Sequence, residues 1–254
     1  MDVLITKTQS VLTLQFNRPA KKNAITAAMY QSMADALKNA EDDSSIRVIL
    51  FIGGPQIYTA GNDLEDFAHQ PPSTADSPVH QFLRQISRAN KPIIAAVAGA
   101  AVGIGTTMLL HCDLVYAAPD ARFSMPFVQL GLCPEAASSL LLPQLMGYQR
   151  AAEKLLFGEA FQADEAHRCG LVTAIVDADK LHSFAHSQAV KLAGLPAASV
   201  RTTKRLMKSS QVASIESSMA AENDLFGAML SSPEAREAFG AFFEKRKADF
   251  SRFS

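Results

Sequence analysis

Apolar and polar positions change period along this chain, and the change marks its elements. Val11, Leu12, Leu14 and Phe16 supply apolar positions that, with the residues from Val3, predict two short strands over Val3–Phe16 and a turn near Gln9-Ser10. Asn17-Arg18-Pro19 breaks that pattern. Met29, Met33 and Leu37 then recur at helical spacing, so Thr26 caps a helix running to about Glu41. Arg47–Ile52, ending in Gly53-Gly54, and Pro92–Ala98 are continuous apolar runs and read as buried strands. Gly99–Gly105 reads as a small-residue turn entering a short helix. Leu114–Ala118 and Leu171–Val176 read as further strands, the second after a helix carrying Ala151–Phe157. Pro71-Pro72-Ser73-Thr74 predicts an irregular, mobile loop before a helix over about Val79–Arg88.

Short strands therefore alternate with helices at least three times before position 176. That favours an α/β architecture with mainly parallel strands. From Leu181 the character becomes helix after helix, and Pro196 and Pro233 stand where proline is tolerated, at helix starts. A boundary near 195 separates a core, 1–195, from a helical region, 196–254. The latter is too short and too amphipathic to stand alone, and is expected to pack on the core or on a neighbouring subunit.

Composition narrows the class. The 254 residues are 48% hydrophobic and only 19% charged, enough for a sizeable core and for surface covered by other subunits. A net charge of −1 argues against a general nucleic-acid partner, but not against an anionic small ligand. Cys112, Cys133 and Cys169 lie in apolar surroundings without CxxC spacing, so free thiols in a reducing compartment are expected, not a zinc site or disulfides. No secretory signal and no membrane span is expected, and the default is a cytoplasmic protein.

Glu135 is the chemical singularity of the sequence. It is the one charged residue between Phe123 and Gln149. Such a carboxylate is either a structural group, for instance at the start of a helix beginning near it, or a base whose pKa burial raises. Two glycine-containing loops also stand out. Tyr58-Thr59-Ala60-Gly61-Asn62-Asp63-Leu64 follows a strand, and Asn62 or Asp63 can begin a helix; a backbone N–H beside such a turn is a natural donor to a developing anion. Gly99–Thr107 offers a second donor set. Its glycine order is G-x-x-x-G-x-G, not the dinucleotide fingerprint. Ser138-Ser139 lacks a G-x-S-x-G context. His182 and His186, spaced i, i+4, have no acidic partner of the H-E-x-x-H kind, and no metal site is expected.

Together these segments resemble the crotonase (enoyl-CoA hydratase/isomerase) superfamily. The resemblance rests on Asn17-Arg18-Pro19 with Asn23-Ala24, Ala60-Gly61-Asn62-Asp63-Leu64, and the run from Lys91-Pro92 to Gly99. It continues in Cys112-Asp113-Leu114, Ala121-Arg122-Phe123, Gly170-Leu171-Val172 and Phe243–Lys247, in family order across nearly the whole chain. It implies a spiral of ββα units, a C-terminal helical trimerisation region and acyl-CoA thioesters as substrates. No separate cofactor is implied, because coenzyme A enters with the substrate. A homotrimer or a dimer of trimers would follow. The matching positions make the Asn62 and Ile104 amides the oxyanion hole. They place Ala60, Gly61, Asp63 and Leu64, with Ala24, along the CoA moiety, and among the basic residues Lys22 and Lys245 are expected to meet its phosphates.

Departures from the family pattern set the expected reaction. Hydratases of this superfamily carry two catalytic glutamates, at positions where this chain has Thr107 and Phe127. What remains is Glu135, in Met125–Gly131 followed by Pro134-Glu135-Ala136-Ala137, which is similar to the peroxisomal type of Δ3,Δ2-enoyl-CoA isomerase. The acyl-CoA-binding domain carried by some relatives is not expected here. The resemblance therefore implies migration of the double bond of a 3-enoyl-CoA to 2-trans-enoyl-CoA in fatty-acid oxidation, with Glu135 as proton shuttle. The alternatives are a hydratase of the same superfamily and a non-catalytic acyl-CoA-binding protein. The Phe67–His80 loop is expected in the wall of the acyl pocket.

Overall fold

The computed structural model describes residues 1–69 and 74–253. Strands β1 (Val3–Thr8) and β2 (Val11–Phe16) form an antiparallel hairpin through Gln9 and Ser10, both at positive φ. Helix α1 (Ala27–Asp42) follows, capped by Thr26, whose Oγ1 accepts from the Met29 N–H at 3.3 Å. Three rounds of a common unit come next, each a longer strand, a short strand and helix. They are β3 (Val48–Ile52), β4 (Ile57–Thr59), α2 (Leu64–His69) and α3 (Pro78–Arg88), then β5 (Ile93–Val97), β6 (Ala100–Val102) and α4 (Ile104–Thr107). The third is β7 (Leu114–Ala117), β8 (Arg122–Ser124), α5 (Ser138–Met146) and α6 (Tyr148–Phe157). The chain continues through β9 (Phe161–Gln162), α7 (Ala163–Arg168), β10 (Ala174–Ile175) and α8 (Leu181–Ala193). It then runs into α9 (Ala197–Lys208), α10 (Val212–Met229) and α11 (Pro233–Phe243).

The longer strands build one sheet, in the order β1-β2-β3-β5-β7-β10, parallel beyond β2. The short ones build a second, β4-β6-β8-β9, parallel through its first three. Each unit thus contributes a rung to both sheets, the expected ββα spiral. The large sheet is covered on both faces, which is why its strands read as unbroken apolar runs. Ile49, Phe51, Ile93, Ala95 and Val97 face the main core with α1 and α3; Val48, Leu50, Ile94 and Ala96 face Leu181, Ala185, Ala189 and Ala193 of α8. The period-2 alternation was present in the sequence but carried no polar face to reveal it.

Three expectations change. The Gly99–Gly105 turn contains strand β6, because Ala100–Val102 pairs with both β4 and β8. The strand over Leu171–Val176 shortens to β10, since the Leu171 and Val172 amides both donate to Ala166 O at the end of α7 (2.9 and 3.2 Å). No helix contains Glu135: α5 begins three residues later, at Ser138. The expected irregular stretch Pro71-Pro72-Ser73 lies outside the described residues.

Helix α9 is fixed to the sheet by a buried ion pair. Lys204 Nζ donates to Asp113 Oδ2 (2.7 Å) and Lys91 O (2.8 Å), and the same Asp113 oxygen accepts from the Ile93 N–H that opens β5 (2.7 Å). Removing only the cation strands Asp113 beside the sheet. Lys204→Met is expected to destabilise the fold by about 3 kcal/mol, the lower end of the range for such pairs because Asp113 keeps some solvent contact. Urea unfolding followed by far-ultraviolet circular dichroism checks this.

Candidate active site

Two strand-to-helix turns leave the small sheet at the same end, because β4 and β6 are parallel neighbours. One is Ala60–Asp63, entering α2; the other is Gly103, entering α4. Gly61 adopts φ +84°, and a Cβ there would lie 2.7 Å from the Val102 carbonyl oxygen. A Cβ on Gly105 would lie 2.5 Å from Thr59 Cγ2. Neither position admits a side chain, so the two turns close upon one another.

The residues of the Asn17–Ala24 motif brace the first turn from behind. Asn23 accepts from the Arg18 N–H (2.8 Å) and donates to Tyr58 O (3.1 Å) and Ile57 O (3.2 Å). Thr59 Oγ1 donates to Asn23 O (2.6 Å) and accepts from the Gly61 N–H (3.1 Å). The Ala60 N–H donates to Lys22 O, and the Asp63 N–H to Ile25 O. The Asn62 N–H, between these, has no acceptor among the described residues. Ile104 is the first residue of α4, so its N–H has no intrahelical acceptor either.

Asn62 and Ile104 share the wall of a cavity of about 750 Å³. Lys22, Ala24, Ala60, Gly61, Asp63 and Leu64 line it as well. Asp63 lines it through a carboxylate already engaged: it pairs with Arg18 at 2.6 Å and accepts from the Glu65 and Asp66 amides. Burial raises its pKa, but these hydrogen bonds outweigh it and hold the group below its ordinary value. Lys245 is outside the wall. The left-handed turn at Lys245 closes α11, with the Arg246 N–H donating to Ala241 O, and in this segment it is Arg246 that lines the cavity, paired with Glu237 and Glu244. Phe67, Phe127 and Phe226 form an aromatic wall, with Phe226 edge-on to the other two at 6.1 and 6.4 Å between centroids.

Glu135 is 5% exposed and is not among the residues that line this cavity. Its Oε1 has no hydrogen-bond partner, and no cation pairs with it among the described residues. Burial, and then the negative charge of Glu222, push its pKa from an ordinary 4.5 up to about 8. Its link to the first turn is Tyr30. The Tyr30 hydroxyl donates to Asn62 Oδ1, and its pKa is raised by burial and then by the nearby Glu135 charge. Thr107 is buried with an unpartnered hydroxyl, and Phe127 is apolar wall, so neither position supplies a second acid.

Sequence reasoning missed Glu222 and His111. Ala136 and Ala137 both lie at positive φ (61° and 55°) between Glu135 and α5. Glu222 of α10, 6% exposed, accepts from the Ala137 N–H (2.6 Å), the Ser139 N–H (2.9 Å) and Ser139 Oγ (2.5 Å). It fills the helix-terminal role that Glu135 was a candidate for. On the other side His111 Nε2 lies 2.8 Å from Ala136 O; a carbonyl only accepts, so this nitrogen carries the proton. Burial holds the His111 pKa down at about 4, so the ring is neutral. Nothing in the local sequence marks either residue; only the long-range contacts do. Among the described residues no group of three His, Cys, Asp or Glu side chains is arranged to hold a metal, and no helix is long and apolar enough to cross a membrane.

Residues 6–252 match the enoyl-CoA hydratase/isomerase family. The chain is 32% identical over 250 residues to the 2,3-dehydroadipyl-CoA hydratase of Escherichia coli, covering 98% of both chains. It is 37% identical over 215 residues to rat (Rattus norvegicus) enoyl-CoA delta isomerase 2, covering 82% of this chain and 55% of that one. The crystal structure of an enoyl-CoA hydratase/isomerase from Pseudoalteromonas atlantica superposes with a TM-score of 0.94 at 40% identity, over 98% of this chain and all of that one. The chain belongs to the enoyl-CoA hydratase/isomerase family and has the crotonase fold.

The buried carboxyl makes stability depend on pH in a definite direction. Between about pH 4.5 and 8 the folded protein holds a proton on Glu135 that the unfolded chain has released. Stability contributed by this group is therefore full below pH 4.5, falls as pH rises toward 8, and is level above. Glu135→Gln is expected to remove that slope, gaining up to roughly 5 kcal/mol relative to wild type at pH 9. Denaturant unfolding of both proteins from pH 5 to 9 measures it.

Proposed function

We propose that this member of the family shifts the double bond of a 3-enoyl-CoA into conjugation, giving 2-trans-enoyl-CoA, with Glu135 as its proton shuttle. The observation that carries the reading is a single buried carboxyl with an unpartnered oxygen, connected through Tyr30 to the Asn62 turn, together with two amides of one cavity wall that have no acceptor among the described residues, and no acid at position 107 or 127.

The substrate thioester oxygen accepts from the Asn62 and Ile104 N–H groups. Removing a C2 proton places negative charge on that oxygen, and the two fixed donors stabilise it without reorganising. Glu135 takes the C2 proton; the electron pair moves through C2 and C3, and the same carboxyl returns the proton at C4. The carbon–carbon double bond ends between C2 and C3. One group suffices because it alternates as base and acid. The coenzyme A portion lies along Lys22, Ala24, Ala60, Gly61 and Leu64. The aromatic wall of Phe67, Phe127 and Phe226 takes the acyl chain and keeps water from the conjugated product.

Hydration of a 2-enoyl-CoA also needs a water held and polarised opposite the base. Phe127 offers nothing for that. Glu222, the other buried carboxylate, has both oxygens occupied by donors.

With 3-enoyl-CoA as substrate, Glu135→Gln is expected to lower kcat/KM by about 10²–10⁴-fold. The wild-type kcat/KM is expected to rise about tenfold per pH unit and level off above about pH 8, following the ionisation of the free base. Formation of the conjugated thioester, followed by ultraviolet absorbance, reads both. An unimpaired Gln variant, or 3-hydroxyacyl-CoA formed from 2-enoyl-CoA as fast as isomerisation, would overturn the assignment.

A further inference from the structure

We propose that Glu222 is a positioning residue for Glu135, a buried carboxylate that closes the turn behind the base from a helix that also walls the substrate cavity. The inference rests on Glu135 being the base.

Two consecutive alanines in the left-handed region are unfavourable, by about 1 kcal/mol or more each, and persist only where their surroundings hold them. Glu222 supplies that hold with three hydrogen bonds across Ala137–Ser139. The His111 ring holds Ala136 O from the opposite side. Between them the backbone on the C-terminal side of Glu135 has little freedom, so the carboxyl is presented in one direction.

A neutral amide here has one accepting oxygen, whereas the carboxylate accepts from Ala137 with one oxygen and from Ser139 with the other, at the cost of desolvating a charge. Glu222 is buried, has no cationic partner among the described residues, and stands close enough to Glu135 for its charge to be felt there. Two buried carboxylates in proximity are poor design for stability alone. The titratable groups that bear on Glu135 are Tyr30 from α1, Cys133 in its own segment and Glu222 from α10, with His111 of the 108–111 turn on the carbonyl of the next residue. Lys208 stands behind His111, donating to its carbonyl at 3.3 Å. Tyr30 and His111 are neutral near pH 7 and burial raises the Cys133 thiol, which leaves Glu222 as the nearby charge that bears on the base.

Helix α10 joins this clamp to the substrate. Phe226 lies one turn after Glu222, on the same helix face, and is the central ring of the aromatic wall. An acyl chain packed on Phe226 and the hydrogen bonds behind Glu135 therefore bear on the same short stretch of helix.

The test compares Glu222→Gln with wild type and Glu135→Gln in the isomerase assay. Glu222→Gln is expected to lower kcat by about 10- to 100-fold with KM changed less than about threefold. The pH limb is expected to move down by about one unit. In a Glu135→Gln background the same substitution is expected to change the residual rate by less than about twofold, because it acts through Glu135. Should the Gln variant fail to fold, Ser139→Ala removes one donor and keeps both amides; it is expected to lower kcat about fivefold at unchanged KM. A wild-type kcat and pH limb in Glu222→Gln, an additive loss in the double variant, or an unaffected Ser139→Ala overturns the proposal. Failure of wild type to isomerise, or full activity in Glu135→Gln, instead overturns the assignment of the base.

Discussion

Everything at the site depends on the contact between the Gly61 backbone and the Val102 carbonyl. The small sheet brings β4 and β6 side by side, but only a residue without a Cβ lets the turns beyond them meet. That contact sets the Asn62 and Ile104 amides in one cavity wall. The bracing from Asn23, Thr59 and Arg18 then serves to keep the first turn from relaxing away. The repeated strand–strand–helix unit matters functionally for the same reason. Each round delivers a turn to the same end of the small sheet, and two successive rounds supply the two donors.

The second constraint is electrostatic. A carboxylate loses several kcal/mol of solvation when it is buried without a cation, and Glu135 relieves this by holding its proton to higher pH. His111 contributes by staying neutral. Its proton is committed to Ala136 O and its surroundings disfavour a second one, so it fixes the backbone without becoming a counter-ion. A charged imidazolium at that place would pull the Glu135 pKa back toward the ordinary range and weaken it for the role proposed for it.

Much of the scaffold was legible because it rests on local signals. Thr26 announces the α1 cap, the Val3–Phe16 alternation announces the hairpin, and Glu135 stands out by its apolar setting. Strand β6 was hidden because three small residues between glycines carry no period, and its existence depends on partners on both sides. Lys245 was chosen over Arg246 on charge alone, which cannot tell which side of a helix exit a side chain leaves from. Glu222 was out of reach for a deeper reason. It sits among Ser217, Ser218, Asn223 and Asp224, a run that reads as a solvated helix face, and only the docking of α10 against the start of α5 buries it.

The location of that second carboxylate bears on how one fold separates neighbouring reactions. Counting acids in the sequence would credit the site with two once burial is known, and two acids suggest hydration. The count misleads because the two groups differ in what their oxygens do. Glu222 receives hydrogen bonds at both oxygens and cannot exchange a proton without losing them. Glu135 has a free oxygen. A second acid behind the first acts on it through space, raising its basicity, whereas a second acid across the cavity would hold a water. The cavity wall carries Phe127 in place of an acid, packed against Phe226 of the same helix that carries Glu222. On the proposed mechanism, helix α10 adds negative charge near Glu135 and an apolar ring to the cavity wall, and both would favour returning the proton to carbon.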